Sequence, residues 1–226
     1  MNSVLRQNAR FCLVGEVMKD LEKLSREHFD GMADNYAATD GEYYTPLPKL
    51  CCTRAAELLE GEDFGRLLDV GCGSGYLISL LHEKRGGEYV GLDISPAMLA
   101  HAREKLQGAD GVNFVESGAG SLPFGDGAFG AVTCIFSFHH YPYPERAVAE
   151  AYRVLREGGV YILADVNAAT AGEPGEEEFA FYTRDEGAAL LERAGFAVEV
   201  AEEPTPRCFL VKGRKGGAKS GQRQPR

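Results

Sequence analysis

A glycine-rich turn and a carboxylate that follows it are the parts of this sequence best suited to binding a nucleoside. The apolar run RLLDV passes directly into Gly71-Cys72-Gly73-Ser74-Gly75, and the helical pattern YLISLL follows. Glycines in such a turn let the backbone approach a ligand closely and let the next helix pack tightly. Asp93, 22 residues after Gly71, ends the next apolar run, where a carboxylate can accept hydrogen bonds from both ribose hydroxyls. Its alternative role is to cap the helix predicted from Pro96, for which Ser95 is better placed.

The spacing of the glycines distinguishes between two nucleoside cofactors. A nicotinamide fingerprint reads G-x-G-x-x-G and holds a pyrophosphate at the helix N-terminus, whereas this turn reads G-x-G-x-G. Asp69 stands two residues before Gly71, and its negative charge disfavours a pyrophosphate. The same charge suits a ligand that carries an amino group or a sulfonium. The sequence therefore favours S-adenosylmethionine as cofactor, and an NAD-dependent oxidoreductase is kept as the less favoured alternative.

The segment FSFHHYP, which follows the fourth apolar run, contains the candidates for proton transfer. His139 and His140 are candidate catalytic residues, because a neutral imidazole can accept a proton or orient an acceptor. The alternative is that one of them orders the loop before the helix predicted from residue 145. Transfer of a methyl group from a sulfonium depends mainly on alignment and on exclusion of water, so an enzyme of this kind needs no catalytic triad.

Seven short apolar runs alternate with longer amphipathic patterns after Gly65. Apolar strands separated by helices predict an α/β fold: a Rossmann-like, mostly parallel sheet with helices on both faces. Only EEPTP separates the last two runs, which we expect to pair as an antiparallel C-terminal hairpin. The runs are RLLDV, EYVGLDI, VNFVE, AVTCIF, VYILAD, FAVEV and RCFLVKG.

The sequence before the glycine turn predicts a helical cap. Apolar residues three or four apart from Leu5 to His28 predict an amphipathic helix, with Glu22 among the residues that face water. An aperiodic stretch follows, and a second helix is predicted at 47–60. We therefore predict an N-terminal helical cap at 1–60, a cofactor-binding core at 61–211 and a disordered basic tail at 212–226.

Charge and cysteine usage limit the partners and the compartment. Six of the 24 basic residues lie after residue 211, where no acid occurs, and the rest of the chain is strongly acidic. Such a body repels phosphate backbones, so we expect no nucleic-acid partner. No apolar run approaches the roughly 18 residues of a membrane span, and no secretory signal is evident. The six cysteines lack C-x-x-C spacing, which predicts reduced thiols and no metal site in a cytoplasmic protein.

Four ordered segments resemble the class I S-adenosylmethionine-dependent methyltransferases, most closely the small-molecule branch. They are LLDVGCGSGYL, GLDIS, SLPFGDGAFGAV and AYRVLREGGVYILAD, within a resemblance that covers roughly residues 25–211. It implies methyl transfer to an oxygen, nitrogen or carbon atom of a small acceptor. By the same resemblance Asp69, Gly71 and Gly73 hold the methionine part of the cofactor, Asp93 holds the ribose and Ile94 packs on the adenine.

One position departs from that family. An Asp–Ala pair commonly precedes L-P-F there, and its Asp binds the adenine amino group. Gly118 and Ala119 occupy these places here, so either their backbone reads the adenine edge or another residue supplies the contact. The departure keeps open a non-catalytic regulator that binds the nucleoside.

The resemblance also assigns residues around the acceptor. His140 stands where this branch frequently has a histidine, and Tyr36 is placed as a cofactor contact, as is Phe136. The long connection between the fifth and sixth runs often covers the acceptor pocket in this family. Phe179, Phe181 and Tyr182 are its candidate wall residues, with a role in the core as the alternative.

Overall fold

Seven strands form a single mixed sheet in the computed structural model, which describes residues 21–34, 46–172 and 180–216. The strands are Arg66–Val70 (β1), Glu88–Asp93 (β2), Val112–Glu116 (β3), Phe129–Ile135 (β4), Leu155–Val166 (β5), Phe196–Thr205 (β6) and Cys208–Lys215 (β7). Their order is β3-β2-β1-β4-β5-β7-β6. The pairs among β1 to β5 are parallel, whereas β7 pairs antiparallel with both β5 and β6. This confirms the predicted fold class and its C-terminal hairpin.

The helices lie on both faces of the sheet. They are residues 21–34 (α1), Pro46–Leu59 (α2), Tyr76–Lys84 (α3), Pro96–Lys105 (α4), Pro144–Val154 (α5) and Arg184–Arg193 (α6). Ser95 caps α4 by accepting a hydrogen bond from the Met98 amide, as its position before Pro96 predicted. Among the described helices, none is both long enough and apolar enough to cross a membrane.

Two apolar layers hold these helices against the sheet. One face packs on α5 and α6, as shown by the buried side chains of Val148, Val154 and Leu191. The other packs on α2, α3 and α4, where Ile78 and Leu99 are fully buried. Cys51 and Cys52 are buried in this second layer and carry free thiols.

Three predicted element boundaries are wrong. Helix α1 continues to residue 34 rather than ending near His28. The segment LRE, which we expected to end the helix that starts near residue 145, belongs to β5 together with the two glycines after it. Gly158 there has a left-handed φ of 74°, and the register with β4 shifts. Most of EEPTP extends β6, and the hairpin turns at Pro206 and Arg207. In the last two cases, pairing with a neighbouring strand overrides the local sequence preference.

The expectation of a disordered tail from residue 212 is also wrong at its start. Residues 212–215 complete β7, because acidic side chains on neighbouring elements compensate their charges. The guanidinium of Arg214 lies 2.6 Å from Glu62, and the ammonium of Lys212 lies 3.3 Å from Glu199. The rest of the predicted tail, from residue 217, lies outside the described residues.

Candidate functional site

A cavity of about 620 Å³ opens at the carboxyl ends of the parallel strands. Its volume is typical of a small-molecule or cofactor site, and its position is where open α/β sheets bind ligands. Most residues predicted to form the site line it: Gly71, Gly73, Asp93, Ile94, Gly118, Ala119, Phe136, His139 and His140. Asp69 lies below the surface of the cavity, and Tyr36 lies outside the described residues.

The glycine turn after β1 is held in a left-handed conformation at the edge of the cavity. Gly71 and Gly73 have φ values of 72° and 51°, which glycine adopts without strain. A Cβ on Gly71 would lie 2.3 Å from Ser137 Oγ and 2.8 Å from Tyr141 Oη. Gly71 therefore makes room for the loop after β4 as well as for a ligand. A Cβ on Gly75 would press on Ala102 of α4, so this glycine makes room for α4 and not for the helix that follows the turn.

Asp93 connects the glycine turn to the end of β2. Its Oδ2 accepts a hydrogen bond from the Gly73 amide at 2.8 Å, and its Oδ1 accepts one from the Ser95 amide at 3.0 Å. Burial raises the pKa of this carboxyl, and the amide donors oppose that effect. A carboxylate has about four acceptor directions, so Asp93 can hold the turn and still accept from ribose hydroxyls.

Asp69 is a buried residue of β1, two positions before the turn, and does not line the cavity. The side chain is almost completely buried, and the Thr133 hydroxyl donates a hydrogen bond of 2.7 Å to Oδ1. Burial raises the pKa of Asp69 to about 7, although the bond from Thr133 opposes this and the charge of Asp93 adds to it. A titratable group therefore lies at the end of β1, next to the turn that is predicted to hold the methionine part.

A buried histidine–aspartate pair lies on the opposite side of the cavity. His139 Nδ1 lies 2.6 Å from Asp165 Oδ1, and the His139 amide donates to Asp165 Oδ2 at 3.0 Å. Asp165 is 2% exposed, so the carboxylate fixes the imidazole from the protein interior. His140 packs on His139 and on Phe29, with ring centroids 3.9 and 4.7 Å away.

Sequence reasoning named both histidines but missed Asp165. The signal for it was present, because VYILAD ends with this acid at the same sheet edge as the histidines. The carboxyl ends of neighbouring parallel strands meet there.

Aromatic side chains complete the wall near the histidines. Phe136 lines the cavity with a φ of 55°, a conformation uncommon for a residue other than glycine and frequent at functional sites. Phe181 also lines it and lies 5.7 Å from the His139 ring. Tyr182 packs on Phe138 instead, as the core alternative predicted, and Phe179 lies outside the described residues.

Helix α1 forms the wall next to β2 and β3, which the sequence did not indicate. Glu22, Ser25 and Phe29 line the cavity from this helix. The expectation that Glu22 faces water is therefore wrong. The reason is tertiary: α1 packs across the ends of these strands, which brings Glu22 against Gly118.

Comparison with known proteins agrees with this geometry. Residues 68–163 match the family described as methyltransferase domain. This stretch, less than half of the chain, is what carries the class I S-adenosylmethionine-dependent methyltransferase domain. Demethylmenaquinone methyltransferase of Thermus thermophilus is 44% identical over 115 residues, which cover 50% of this chain and 52% of that protein. The chain spans about half the length of the curated relatives it matches.

Solved structures show the same fold. A SAM-dependent methyltransferase from Aquifex aeolicus has a TM-score of 0.65 and 22% identity, covering 79% of this chain and 97% of the other. The [4+2]-cyclase SpnF also has a TM-score of 0.65 and 22% identity, covering 73% and 82%. Since one of these neighbours is called a cyclase, the fold alone does not define the reaction.

The cofactor of such a domain, S-adenosylmethionine, suits the groups around the cavity. Asp93 presents carboxylate oxygens for ribose hydroxyls, and Ile94 offers an apolar surface for a base. The buried carboxyl of Asp69 lies next to the turn, where positive charge on the cofactor would favour its ionised form. The family match decides against the NAD-dependent oxidoreductase that the sequence left open.

Proposed function

We propose that this domain transfers the methyl group of S-adenosylmethionine to a small-molecule acceptor that gives up a proton to His139. The supporting observation is the buried His139–Asp165 pair, which borders the same cavity as the glycine turn and Asp93. When bound, the cofactor supplies a methyl group already activated by a sulfonium. The protein then has to align the acceptor, exclude water and remove a proton.

In this proposal the two members of the pair have separate roles. Because Asp165 engages Nδ1, we assign the acid–base chemistry with a substrate to the other ring nitrogen, Nε2. The carboxylate holds the imidazole in one tautomer and orientation, and it stabilises the imidazolium that forms when Nε2 takes the proton. Proton removal of this kind contributes about 10²–10⁴-fold to the rate, on top of the larger effect of alignment.

The walls of the cavity favour an aromatic acceptor with a hydroxyl group. Phe29, His140 and Phe181 offer ring surfaces on which a flat apolar molecule can stack. A hydroxyl on that molecule would give its proton to His139, and the methyl group would go to the oxygen or to an activated ring carbon. The name of the Thermus thermophilus relative, demethylmenaquinone methyltransferase, is consistent with this acceptor class.

Turnover with a panel of hydroxylated benzenes and naphthalenes tests the proposal, with product methylation and S-adenosylhomocysteine release measured by mass spectrometry. His139→Ala and Asp165→Asn should lower kcat by about 10²-fold or more while affinity for S-adenosylmethionine stays within about threefold. His82→Asn on the far side of α3 is the control and should keep full activity. Tight cofactor binding without turnover on any acceptor would instead support the non-catalytic regulator.

A further inference from the structure

The carboxylate of Glu22 occupies the space next to Gly118, just after β3. A Cβ on Gly118 would lie 2.9 Å from Glu22 Oε1, and a Cβ on Gly120 would lie 3.9 Å from the same atom. The φ of Gly118 is not left-handed, so the backbone does not require glycine there. Glycine at position 118 has no Cβ and therefore leaves space for the Glu22 side chain.

Two contacts along α1, made by Arg26 and Asp30, hold Glu22 in this place. Arg26 forms an ion pair with Glu116 at the end of β3. Asp30 accepts hydrogen bonds from the Ser95 hydroxyl at 2.6 Å and the Ala97 amide at 3.3 Å, and so extends the cap of α4. These contacts fix the helix across the ends of β2 and β3, with Glu22 directed at the cavity.

The sheet order determines which part of the cofactor meets Glu22. The glycine turn, Asp93 and Gly118 follow β1, β2 and β3, which are neighbours in the sheet. If the ribose lies on Asp93, the part of the cavity lined by Gly118 and Ala119 after β3 would be the neighbouring space for the base. Adenine has one exocyclic donor, its 6-amino group, and an ionised carboxylate is purely an acceptor.

We propose that Glu22, carried by α1, accepts a hydrogen bond from the adenine 6-amino group and thereby selects the base of the cofactor. This inference rests on the proposed function, because it assumes that S-adenosylmethionine binds with its ribose on Asp93. A competing role for Glu22 is a purely structural ion pair with Arg146, whose side chain comes within 3.8 Å of the Gly120 Cβ position. A ligand that differs only at the 6-amino group separates the two roles.

Calorimetric titration of the full chain with S-adenosylhomocysteine and with its 6-deamino analogue, which has a purine base, provides this test. The wild type should bind the amino form about 10-fold more tightly, since hydrogen bonds to charged groups are among the stronger ones. Glu22→Met should bind both ligands alike, and Glu22→Gln should retain part of the preference. Glu27→Met, an exposed position on the same helix, is the matched control and should keep the wild-type preference.

A rescue experiment moves the carboxylate from position 22 to position 118. In a Glu22→Ala background, which empties the space next to position 118, Gly118→Asp supplies a carboxylate from the other side and should restore the preference for the 6-amino ligand. Preference unchanged in Glu22→Met would overturn the inference and leave the cofactor assignment intact. Failure of the folded wild type to bind either ligand would instead overturn the proposed function itself. Loss of thermal stability in Glu22→Met with the preference kept would assign Glu22 to the structural pair with Arg146.

Discussion

Asp69 is a buried carboxyl whose ionisation depends on whether a positively charged ligand is bound nearby. With a pKa of about 7 in the folded protein and an ordinary acidic value in the unfolded chain, it binds more protons when folded between about pH 4 and 7. Its contribution to stability is therefore most favourable at low pH and becomes a penalty as pH rises through 7. A bound cation would reverse this, because it favours the charged form.

Asp69→Asn should accordingly stabilise the protein free of ligand above pH 7, by up to about 3 kcal/mol, and have little effect near pH 4. The amide keeps an acceptor for the Thr133 hydroxyl, so packing is retained. Affinity for S-adenosylmethionine should fall at the same time, because the compensating negative charge is lost. Urea unfolding from pH 4 to 8, with titration calorimetry at pH 8, measures both effects. A stability difference that does not change with pH would contradict this account of Asp69.

At the scale of elements, α1 lies across the ends of β2 and β3 and forms one wall of the cofactor cavity. The helix lines the cavity through Glu22 and Phe29 and is anchored by Asp30, which supports the cap at the start of α4. Docking of a helix by such a polar contact contributes about 1 kcal/mol, as capping interactions do. Cofactor affinity should therefore depend on the contact between Asp30 and the start of α4, although this contact does not itself involve the cofactor.

Asp30→Ala tests this coupling. The substitution removes the acceptor for the Ser95 hydroxyl and the Ala97 amide, and we expect unfolding free energy to fall by about 1 kcal/mol. Affinity for S-adenosylhomocysteine should fall several-fold, because α1 is less firmly held beside the cavity. Glu27→Ala, on the exposed side of the same helix, should change neither quantity appreciably. If affinity is unchanged in Asp30→Ala, the position of α1 does not matter for the nucleoside.

The elements also show what the sequence could and could not indicate. The glycine turn, Asp93 and the alternation of strands and helices are local patterns, and each was predicted at its place. Asp165 and Glu22 act through partners distant in sequence, His139 and Gly118, so spacing along the chain marked neither of them. For Asp165 the signal was its place at the end of an apolar run, and for Glu22 there was none. Likewise, LREGG is locally a helix end, and only pairing of β5 with β4 makes it extended.

At the scale of the whole molecule, the basic residues at the end of β7 form ion pairs with acidic side chains of two other segments. Lys212 is 7% exposed and lies between Glu62 and Glu199, and Arg214 bonds both glutamates as well. A buried ammonium is tolerated only when paired, so this strand is held in the sheet by charges from two other segments. The predicted boundary at residue 211 would cut through this network.

Glu62 is the member of the network with the most informative pH dependence. The Arg214 guanidinium, with help from Lys212, lowers its pKa to about 2 against the opposing effect of burial. A folded-state pKa below the unfolded one stabilises the protein above about pH 4.5, and this contribution disappears as pH falls towards 2. Glu62→Gln should therefore lower the unfolding free energy at pH 7 by about 2–3 kcal/mol, partly by leaving Lys212 undercompensated.

The same reasoning makes the loss conditional on pH. Urea unfolding of wild type and Glu62→Gln should give curves that differ at pH 7 and converge as the pH is lowered from 4.5 towards 2. Glu60→Gln removes an exposed ion pair with Lys84 and should cost less than about 1 kcal/mol at any pH. A difference in unfolding free energy that stays the same at low pH would show that Glu62 acts through packing. The explanation that ion pairs hold β7 in the sheet would then be wrong.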